Sequence, residues 1–236
     1  MKHNCQIPSR PLSFGERERQ CENLFRRRGP FFHVCTPGED SLILFETEDD
    51  FRFAMNLFAL VSHLFPDVRI ITFEVMDSHI HIIMEGFASR AKELFEQFRK
   101  RLYRFYHSTG RVRDLHAFQP NIIPVEDLTF LRNSIAYVNR NGFLVHSEYT
   151  PFSYPWGANR FYFNPDSNSR QEGRYGDLSY DEKRRLFRSN TIDYPEQHIL
   201  VDGYISPASF CDLDLGEALF RDARHYFALV SRSVEG

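Results

Sequence analysis

The chain has 236 residues, a formal net charge of -3 and four cysteines. That length suits one well-buried domain with an extension, and a hydrophobic content of 42% excludes wholesale disorder. The cysteines form no paired motif, which argues against a disulfide framework. No segment is long and apolar enough to span a membrane, and residues 1–10 lack the apolar core of a signal peptide. We therefore expect a cytoplasmic protein with no membrane partner.

The first thirty residues are polar and basic and end at Gly29-Pro30. A boundary of this kind predicts a basic N-terminal arm over residues 1–30. Residues 31–36 and 41–45 then have the composition of two short strands on either side of a turn dipeptide, which predicts a hairpin.

The first helix is expected to begin after Thr47. Thr47 and Asp50 have the spacing of a capping box, with Asp in place of Glu, and the apolar residues that follow recur at helical spacing. Residues 68–76 and 79–85 are rich in β-branched and aromatic side chains and are separated by Asp77-Ser78. They predict a second hairpin.

Three more elements follow the second hairpin. Residues 88–106 have the pattern of a helix, residues 118–124 that of a strand, and residues 125–140 that of a helix with Glu126 and Asp127 at its positive end. The order resembles ββαββα. It predicts an α+β fold, with an antiparallel sheet and helices on one face, close to the ferredoxin-like folds.

The C-terminal part has a different composition. A polar stretch typical of a linker begins at residue 166, and helical patterns return at residues 180–188 and 215–230, with a candidate strand at 199–205. We therefore expect one domain over residues 31–165 and a small, mostly helical extension over residues 166–236.

His79 and His81 are two residues apart on a predicted strand, so both imidazoles should point to the same side of the sheet. Neutral imidazole is a common ligand of divalent metals, which makes the pair a candidate half-site. The alternative is a pair of packed, hydrogen-bonded histidines, and for a motif this short that alternative is the more common outcome.

Tyr137 and Asn141 are four residues apart on a predicted helix and should occupy neighbouring places on one face. A phenol can attack phosphorus if its proton is removed and the phosphate charge is neutralised. Taken alone, the pair has another interpretation, a core tyrosine beside an asparagine that ends the helix.

Together the two pairs resemble a known family. Residues 75–84, Val-Met-Asp-Ser-His-Ile-His-Ile-Ile-Met, resemble the HUH strand (His, hydrophobic, His) of the one-tyrosine transposases, and residues 137–142 resemble the Tyr-x-x-x-Asn helix end of the same family. Tyr154-Pro155-Trp156-Gly157 resembles the Tyr-Pro-Trp-Ser sequence of REP-associated tyrosine transposases. The resemblance covers residues 30–165.

The resemblance implies the HUH fold and a DNA strand transferase. It implies Mg²⁺ or Mn²⁺ as cofactor, held by His79, His81 and Asn141, and Tyr137 as a nucleophile that leaves a 5′-phosphotyrosine and a free 3′-OH. The expected partner is single-stranded or stem-loop DNA, and the active form could be a homodimer. Two turns depart from the family pattern, since Asp77-Ser78 replaces Pro-Asn and Gly142 replaces Pro. Asp77 could add a negative charge near the metal.

The charge distribution is compatible with DNA. Residues 90–140 contain ten basic and five acidic residues, and many of the basic ones alternate with aromatic residues. This composition suits a groove that neutralises phosphates and stacks bases, although a solvated basic face on an ordinary amphipathic helix would look the same. The candidate DNA-binding residues are Arg99, Lys100, Arg101, Arg104 and Arg140.

Two other functions remain open from the sequence. A relaxase or replication initiator shares the HUH chemistry, but a single candidate tyrosine, placed after the histidines, favours the transposase. A non-catalytic, ferredoxin-like nucleic-acid-binding protein would use Tyr137 only for packing.

Overall fold

A computed structural model describes residues 11–38, 43–146, 148–150, 152–166, 169–190 and 193–232. In this part of the chain no helix is long and apolar enough to cross a membrane.

A four-stranded antiparallel sheet forms the centre of the fold, with strand order β2-β3-β1-β4. Its strands are β1 (Phe31–Cys35), β2 (Arg69–Val75), β3 (Ile80–Glu85) and β4 (Asn121–Val125). Helix α2 (Glu48–Leu64) follows β1, and helix α3 (Ala88–Ser108) follows β3. The resulting βαββαβ order is the ferredoxin-like one, so the α+β prediction is confirmed.

The two predicted hairpins have different outcomes. The β2–β3 hairpin around Asp77-Ser78 forms as expected. The one predicted from residues 31–36 and 41–45 is wrong, because β1 pairs with β3 on one side and with β4 on the other. Both edges of β1 are thereby occupied. Leu44 and Phe45 instead donate their backbone amides to the carbonyl of Asp77, and residues 39–42 lie outside the described residues.

Helices cover both faces of the sheet, which corrects the expected single-face arrangement. On β2, the ring of Phe73 packs against Phe58 of α2, with 4.3 Å between ring centroids. Thr72, one position away, donates a hydrogen bond to the side chain of Asn139, which follows helix α4 (Leu128–Val138). Since neighbouring strand residues point to opposite faces, α2 and α4 lie on opposite sides. Buried polar side chains need hydrogen-bond partners. On the α4 side of the sheet, α4 and the residues at its C-terminal end supply those partners.

Helix caps follow the sequence closely. Thr47 and Asp50 form the expected capping box of α2. Asp127 caps α4 and accepts a hydrogen bond from the Phe130 amide, so the helix begins after the acidic pair. It ends at Val138 rather than at residue 140, and a separate short helix, α5 (Asn141–Val145), follows.

The expected N-terminal arm contains a packed helix, α1 (Phe14–Arg27), which begins at a capping box formed by Ser13 and Glu16. Its Cys21 is buried in the main core. Its Glu18 accepts a hydrogen bond of 2.7 Å from the buried Arg132 of α4. The basic composition of this segment therefore coexists with an amphipathic helix that docks on the domain, and residues 1–10 lie outside the described residues.

The C-terminal part contains a second, three-stranded sheet as well as helices. Its elements are β5 (Gln171–Arg174), α6 (Tyr180–Phe187), β6 (Ile199–Val201), β7 (Tyr204–Ile205), α7 (Leu213–Ala218) and α8 (Ala223–Val230). The helix expected over residues 215–230 is divided in two, because Asp222 caps α8. Tyr204 and Tyr226 belong to the same hydrophobic core as the central sheet. The boundary between residues 165 and 166 stays a prediction.

Candidate active site and metal centre

His81 is the second residue of β3, and His79 directly precedes this strand, beside the β2–β3 turn. Their ring centroids are 5.2 Å apart and the rings are nearly perpendicular, as expected for alternate residues that point to one side of a strand. The Nδ1 atom of His79 lies 3.1 Å from the Ser78 hydroxyl. In the described part of the chain, the Nε2 atoms of His79 and His81 take part in no hydrogen bond, so both are free to accept a ligand.

A third histidine, His33 of β1, orients His81. His33 Nε2 and His81 Nδ1 share a hydrogen bond of 2.9 Å, and the two side chains are only 8% and 7% exposed. Burial lowers the pKa of His33 to about 4 and that of His81 to about 3. Both imidazoles are therefore neutral at physiological pH, which is the state that binds metals.

Tyr137 lies against these two histidines. Its ring centroid is 5.2 Å from that of His81 and 6.0 Å from that of His33, with edge-on geometry in both pairs. The side chain is 38% exposed. Its hydroxyl takes part in no hydrogen bond within the described residues. The structure thus brings a solvent-accessible phenol together with the paired imidazoles.

The position of Asn141 relative to Tyr137 differs from the expected one. The helix breaks between Tyr137 and Asn141, so the two side chains do not share the face of one continuous helix. The break follows from Asn139, whose buried side chain bonds to Thr72 and donates to the Tyr226 hydroxyl. Asn141 itself is buried, and its Nδ2 atom has no hydrogen-bond partner.

Glu74 of β2 holds the chain at this break. Its fully buried carboxyl accepts a 2.7 Å hydrogen bond from the backbone amide of Gly142 at Oε2, whereas Oε1 has no hydrogen-bond partner among the described residues. Glu74 is also paired in register with His81 on the neighbouring strand, so both side chains emerge on the same face. The backbone of Gly142, directly after Asn141, is thereby fixed to the cross-strand neighbour of His81.

The segment from Tyr154 to Gly157 supports the same region. The Tyr154 hydroxyl donates a 2.7 Å hydrogen bond to the carbonyl of Val75, and the Trp156 carbonyl accepts one of 2.8 Å from the amide of Val75. A Cβ atom at Gly142 would lie 2.3 Å from the Tyr154 ring. The glycine that departs from the family pattern is therefore required by the packing of Tyr154.

Asp77 forms an ion pair or hydrogen bond with His146, with 3.1 Å between Oδ1 and Nε2. Burial lowers the pKa of His79, and the nearby charge of Asp77 partly opposes that shift. The negative charge that the sequence suggested near the histidines is present, although it is shared with His146.

The structure separates the candidate DNA-binding residues by exposure. Lys100 and Arg104 are exposed on α3, whereas Arg99 bonds to Glu96 and to the Leu115 carbonyl, and Arg101 is partly buried. Arg140 lies two residues after the end of α4 and donates a hydrogen bond to the Arg232 carbonyl.

Helix α3 lies on the face opposite Tyr137, but its C-terminal end is near the β2–β3 turn. There Tyr106 donates its hydroxyl hydrogen to the Leu44 carbonyl, and the Leu44 amide donates to the Asp77 carbonyl. Arg104, two residues before Tyr106, therefore lies near the end of the sheet that carries the histidines, but on the opposite face.

Sequence reasoning missed His33, Cys35 and Glu74. His33 and Cys35 alternate on a predicted strand, and Glu74 is the one ionisable residue in the apolar run of residues 70–76. Both patterns were visible. Their meaning depended on which strands pair, and the strand pairing was predicted wrongly for β1.

The donor atoms fit a divalent metal. Two neutral imidazoles with unbonded Nε2 atoms are typical ligands of a divalent transition ion, whereas the unpartnered Nδ2 atom of Asn141 is a hydrogen-bond donor and cannot ligate a cation. Mg²⁺ prefers oxygen ligands throughout, so Mn²⁺ suits this set better than Mg²⁺.

No family model matches the chain, and no curated protein does. A solved structure of a REP-associated tyrosine transposase bound to a REP hairpin aligns with 57% of this chain and 79% of its own length. The identity is 18% and the TM-score is 0.40. The REP hairpin is the ligand of that protein.

Proposed function

We propose that this protein is a metal-dependent DNA strand transferase of the HUH transposase type. It cleaves and rejoins single-stranded or stem-loop DNA with Tyr137 as the nucleophile. The observation that supports this most is the packing of the Tyr137 ring against His81, 5.2 Å between centroids, beside the free Nε2 atoms of two neutral histidines.

Cleavage exchanges one ester bond for another. The Tyr137 oxygen attacks the scissile phosphorus, a Tyr–O–P bond forms, and the P–O3′ bond breaks. The phenol proton passes to solvent or a neighbouring base, and the leaving oxygen takes up a proton to become a 3′-OH. Because the phosphotyrosine bond is similar in energy to the bond that was broken, attack by a 3′-OH rejoins the strand.

His79, His81 and Asn141 would hold Mn²⁺ or Mg²⁺. When bound, the ion polarises a phosphoryl oxygen and neutralises its charge. His33 and Ser78 orient the two histidines through their Nδ1 atoms, which leaves Nε2 of each ring for the ion. Glu74 fixes the backbone of Gly142, the residue after Asn141, next to His81.

The DNA backbone would run past the β2–β3 turn. Lys100 and Arg104 are exposed cations on α3, and the exposed ring of Tyr103 lies between them in the chain. Cations that alternate with an aromatic ring suit single-stranded DNA, since phosphates and bases can both be contacted. Arg140 is the candidate contact on the Tyr137 side of the sheet.

Trapping of a covalent adduct tests this function. Stem-loop oligonucleotides would be incubated with the protein and Mn²⁺, and adducts would be separated in denaturing gels. We expect an adduct with wild type and with Tyr103→Phe, whose ring is exposed, and none with Tyr137→Phe. DNA binding without any adduct in wild type would instead indicate the non-catalytic nucleic-acid-binding protein.

A further inference from the structure

Strand β1 places two more ligand-type side chains beside His81. His33 and Cys35 are alternate residues of β1, and Cys35 is paired in register with His81 of β3. One ligand atom from each of His33, Cys35 and His81 lies within 4.8 Å of the others. The proposed cleavage reaction does not use the thiol of Cys35.

The chemistry of these donors differs from that of the cleavage site. Two imidazole nitrogens and one thiolate sulfur are typical of Zn²⁺, because a thiolate selects softer ions than Mg²⁺ or Mn²⁺. Ligand atoms around a tetrahedral Zn²⁺ are about 3.3–3.6 Å apart, given the usual bond lengths. On zinc binding, the two nitrogens, 2.9 Å apart, would therefore separate slightly, and ligand atoms that are up to 4.8 Å apart would move closer; three protein ligands leave a fourth position open.

We propose that His33, Cys35 and His81 form a Zn²⁺ site that competes for His81 with the metal of the cleavage reaction. His81 faces His33 through Nδ1, at 2.9 Å from His33 Nε2, whereas its Nε2 atom is the one available beside His79. A neutral imidazole has a single unprotonated nitrogen, so His81 can serve one of the two ions at a time. The competition rests on the proposed function, and the Zn²⁺ site does not.

Zinc binding changes the protonation of Cys35 and the proton position on His81. The Cys35 thiol releases its proton to solvent when the thiolate binds, and the imidazole proton of His81 resides on Nε2 when Nδ1 becomes the ligand atom. The Nε2 atom is then blocked for the cleavage metal. Zn²⁺ would thus act as an inhibitor of a Mn²⁺-dependent reaction without occupying the same position.

Titration of the full chain with Co²⁺ tests the site, because Co²⁺ reports thiolate binding by a charge-transfer absorption and Zn²⁺ is silent. We expect this absorption in wild type, its loss on addition of Zn²⁺, and its absence in Cys35→Ser. Cys211→Ser, the matched control at another free cysteine, should retain it. Circular dichroism would verify that the variants fold.

His33→Gln gives an independent measure, because it removes a nitrogen ligand and leaves the thiol. Loss of a residue that only hydrogen-bonds to a ligand typically lowers metal affinity roughly 10- to 100-fold. Loss of the direct ligand in His33→Gln should therefore lower the Co²⁺ affinity by at least as much. Wild type without charge-transfer absorption, or equal absorption and affinity in wild type and Cys35→Ser, would overturn the Zn²⁺ site.

Electron paramagnetic resonance, which detects the release of bound Mn²⁺, tests the competition without any cleavage assay. Zn²⁺ should displace bound Mn²⁺ from wild type, and Cys35→Ser should require at least about tenfold more Zn²⁺. His79→Ala should lose Mn²⁺ and keep Co²⁺. Retention of Mn²⁺ by Zn²⁺-loaded wild type would contradict the competition. A wild type that binds Co²⁺ but no Mn²⁺ would overturn both the competition and the cleavage metal, and would leave the Zn²⁺ site standing.

Discussion

The buried carboxyl of Glu74 accepts a 2.7 Å hydrogen bond from the backbone amide of Gly142, and so ties β2 to the start of α5. Burial raises the pKa of Glu74 to about 8, despite the opposing hydrogen bond from the Gly142 amide. The carboxyl is therefore mostly protonated at pH 7, where it acts as a neutral acceptor.

Glutamine should replace Glu74 better than alanine does. Glu74→Ala leaves the buried amide of Gly142 without a partner and should lower the free energy of unfolding by about 1–3 kcal/mol. Glu74→Gln keeps a neutral acceptor of similar shape and should cost less. Urea denaturation at pH 7 compares the two. Equal losses in both variants would show that the acceptor does not stabilise the break between α4 and α5.

The ion pair of Asp50 and Arg111 should make stability depend on pH. Asp50 is fully buried, its carboxyl lies 2.6 Å from Arg111 and accepts backbone amides at the start of α2. Burial raises the pKa of Asp50, but the Arg111 and amide hydrogen bonds lower it further, so the net shift is downward. A lowered folded-state pKa contributes stability that is complete above the unfolded value, about 3.9, and is lost as pH falls through the folded value.

Asp50→Asn should therefore be less stable than wild type near neutral pH, and the difference should shrink below about pH 4. Urea denaturation between pH 6 and pH 3 measures it. Asp49→Asn, a neighbouring exposed position, should show little difference at any pH. A difference between wild type and Asp50→Asn that does not change with pH would contradict the role of the ionised carboxylate.

Mn²⁺ should bind through the histidines of the β2–β3 hairpin. The double variant His79→Ala, His81→Ala should lose Mn²⁺ binding in calorimetry, because it removes both free Nε2 atoms. His116→Ala, at an exposed histidine after α3, should bind as wild type does. Identical binding by wild type and the double variant would exclude this metal site.

Exposed cations on α3 should contribute to DNA affinity without selecting its sequence. Lys100→Ala and Arg104→Ala should each reduce the slope of log affinity against log salt by roughly 0.7 for single-stranded DNA, the value for one phosphate contact. Arg99→Ala should change the slope less, because Arg99 already bonds to Glu96. Unchanged slopes in the first two variants would show that this face of α3 is only solvated.

Local patterns predicted the features that depend on local chemistry. The Thr47 cap, the β2–β3 hairpin and the adjacency of His79 and His81 all follow from spacing within a few residues. The break before Asn141 does not, because it depends on a hydrogen bond from Asn139 to Tyr226, 87 residues away in the chain.

The position of β1 in the sheet also depends on residues that are distant in the chain. Its composition predicted a strand, but its partners are β3 and β4 rather than the next segment of the chain. Only this pairing brings His33 to His81, so no motif of either segment alone could reveal the hydrogen-bonded pair. The packing of α1 on α4 could not be predicted from a local pattern either, because Glu18 and Arg132, which are hydrogen-bonded, are 114 residues apart in the chain.

The central claim is that Tyr137 is the nucleophile, and mass spectrometry of the trapped DNA adduct tests it most directly. Protein and stem-loop DNA would react with Mn²⁺, nuclease and protease digestion would follow, and the modified peptide would be sequenced. We predict a phosphodiester on Tyr137, because its hydroxyl is unbonded in the described structure and its ring contacts His33 and His81. A phosphodiester on any other tyrosine, or cleavage by Tyr137→Phe at the wild-type rate, would contradict the assignment.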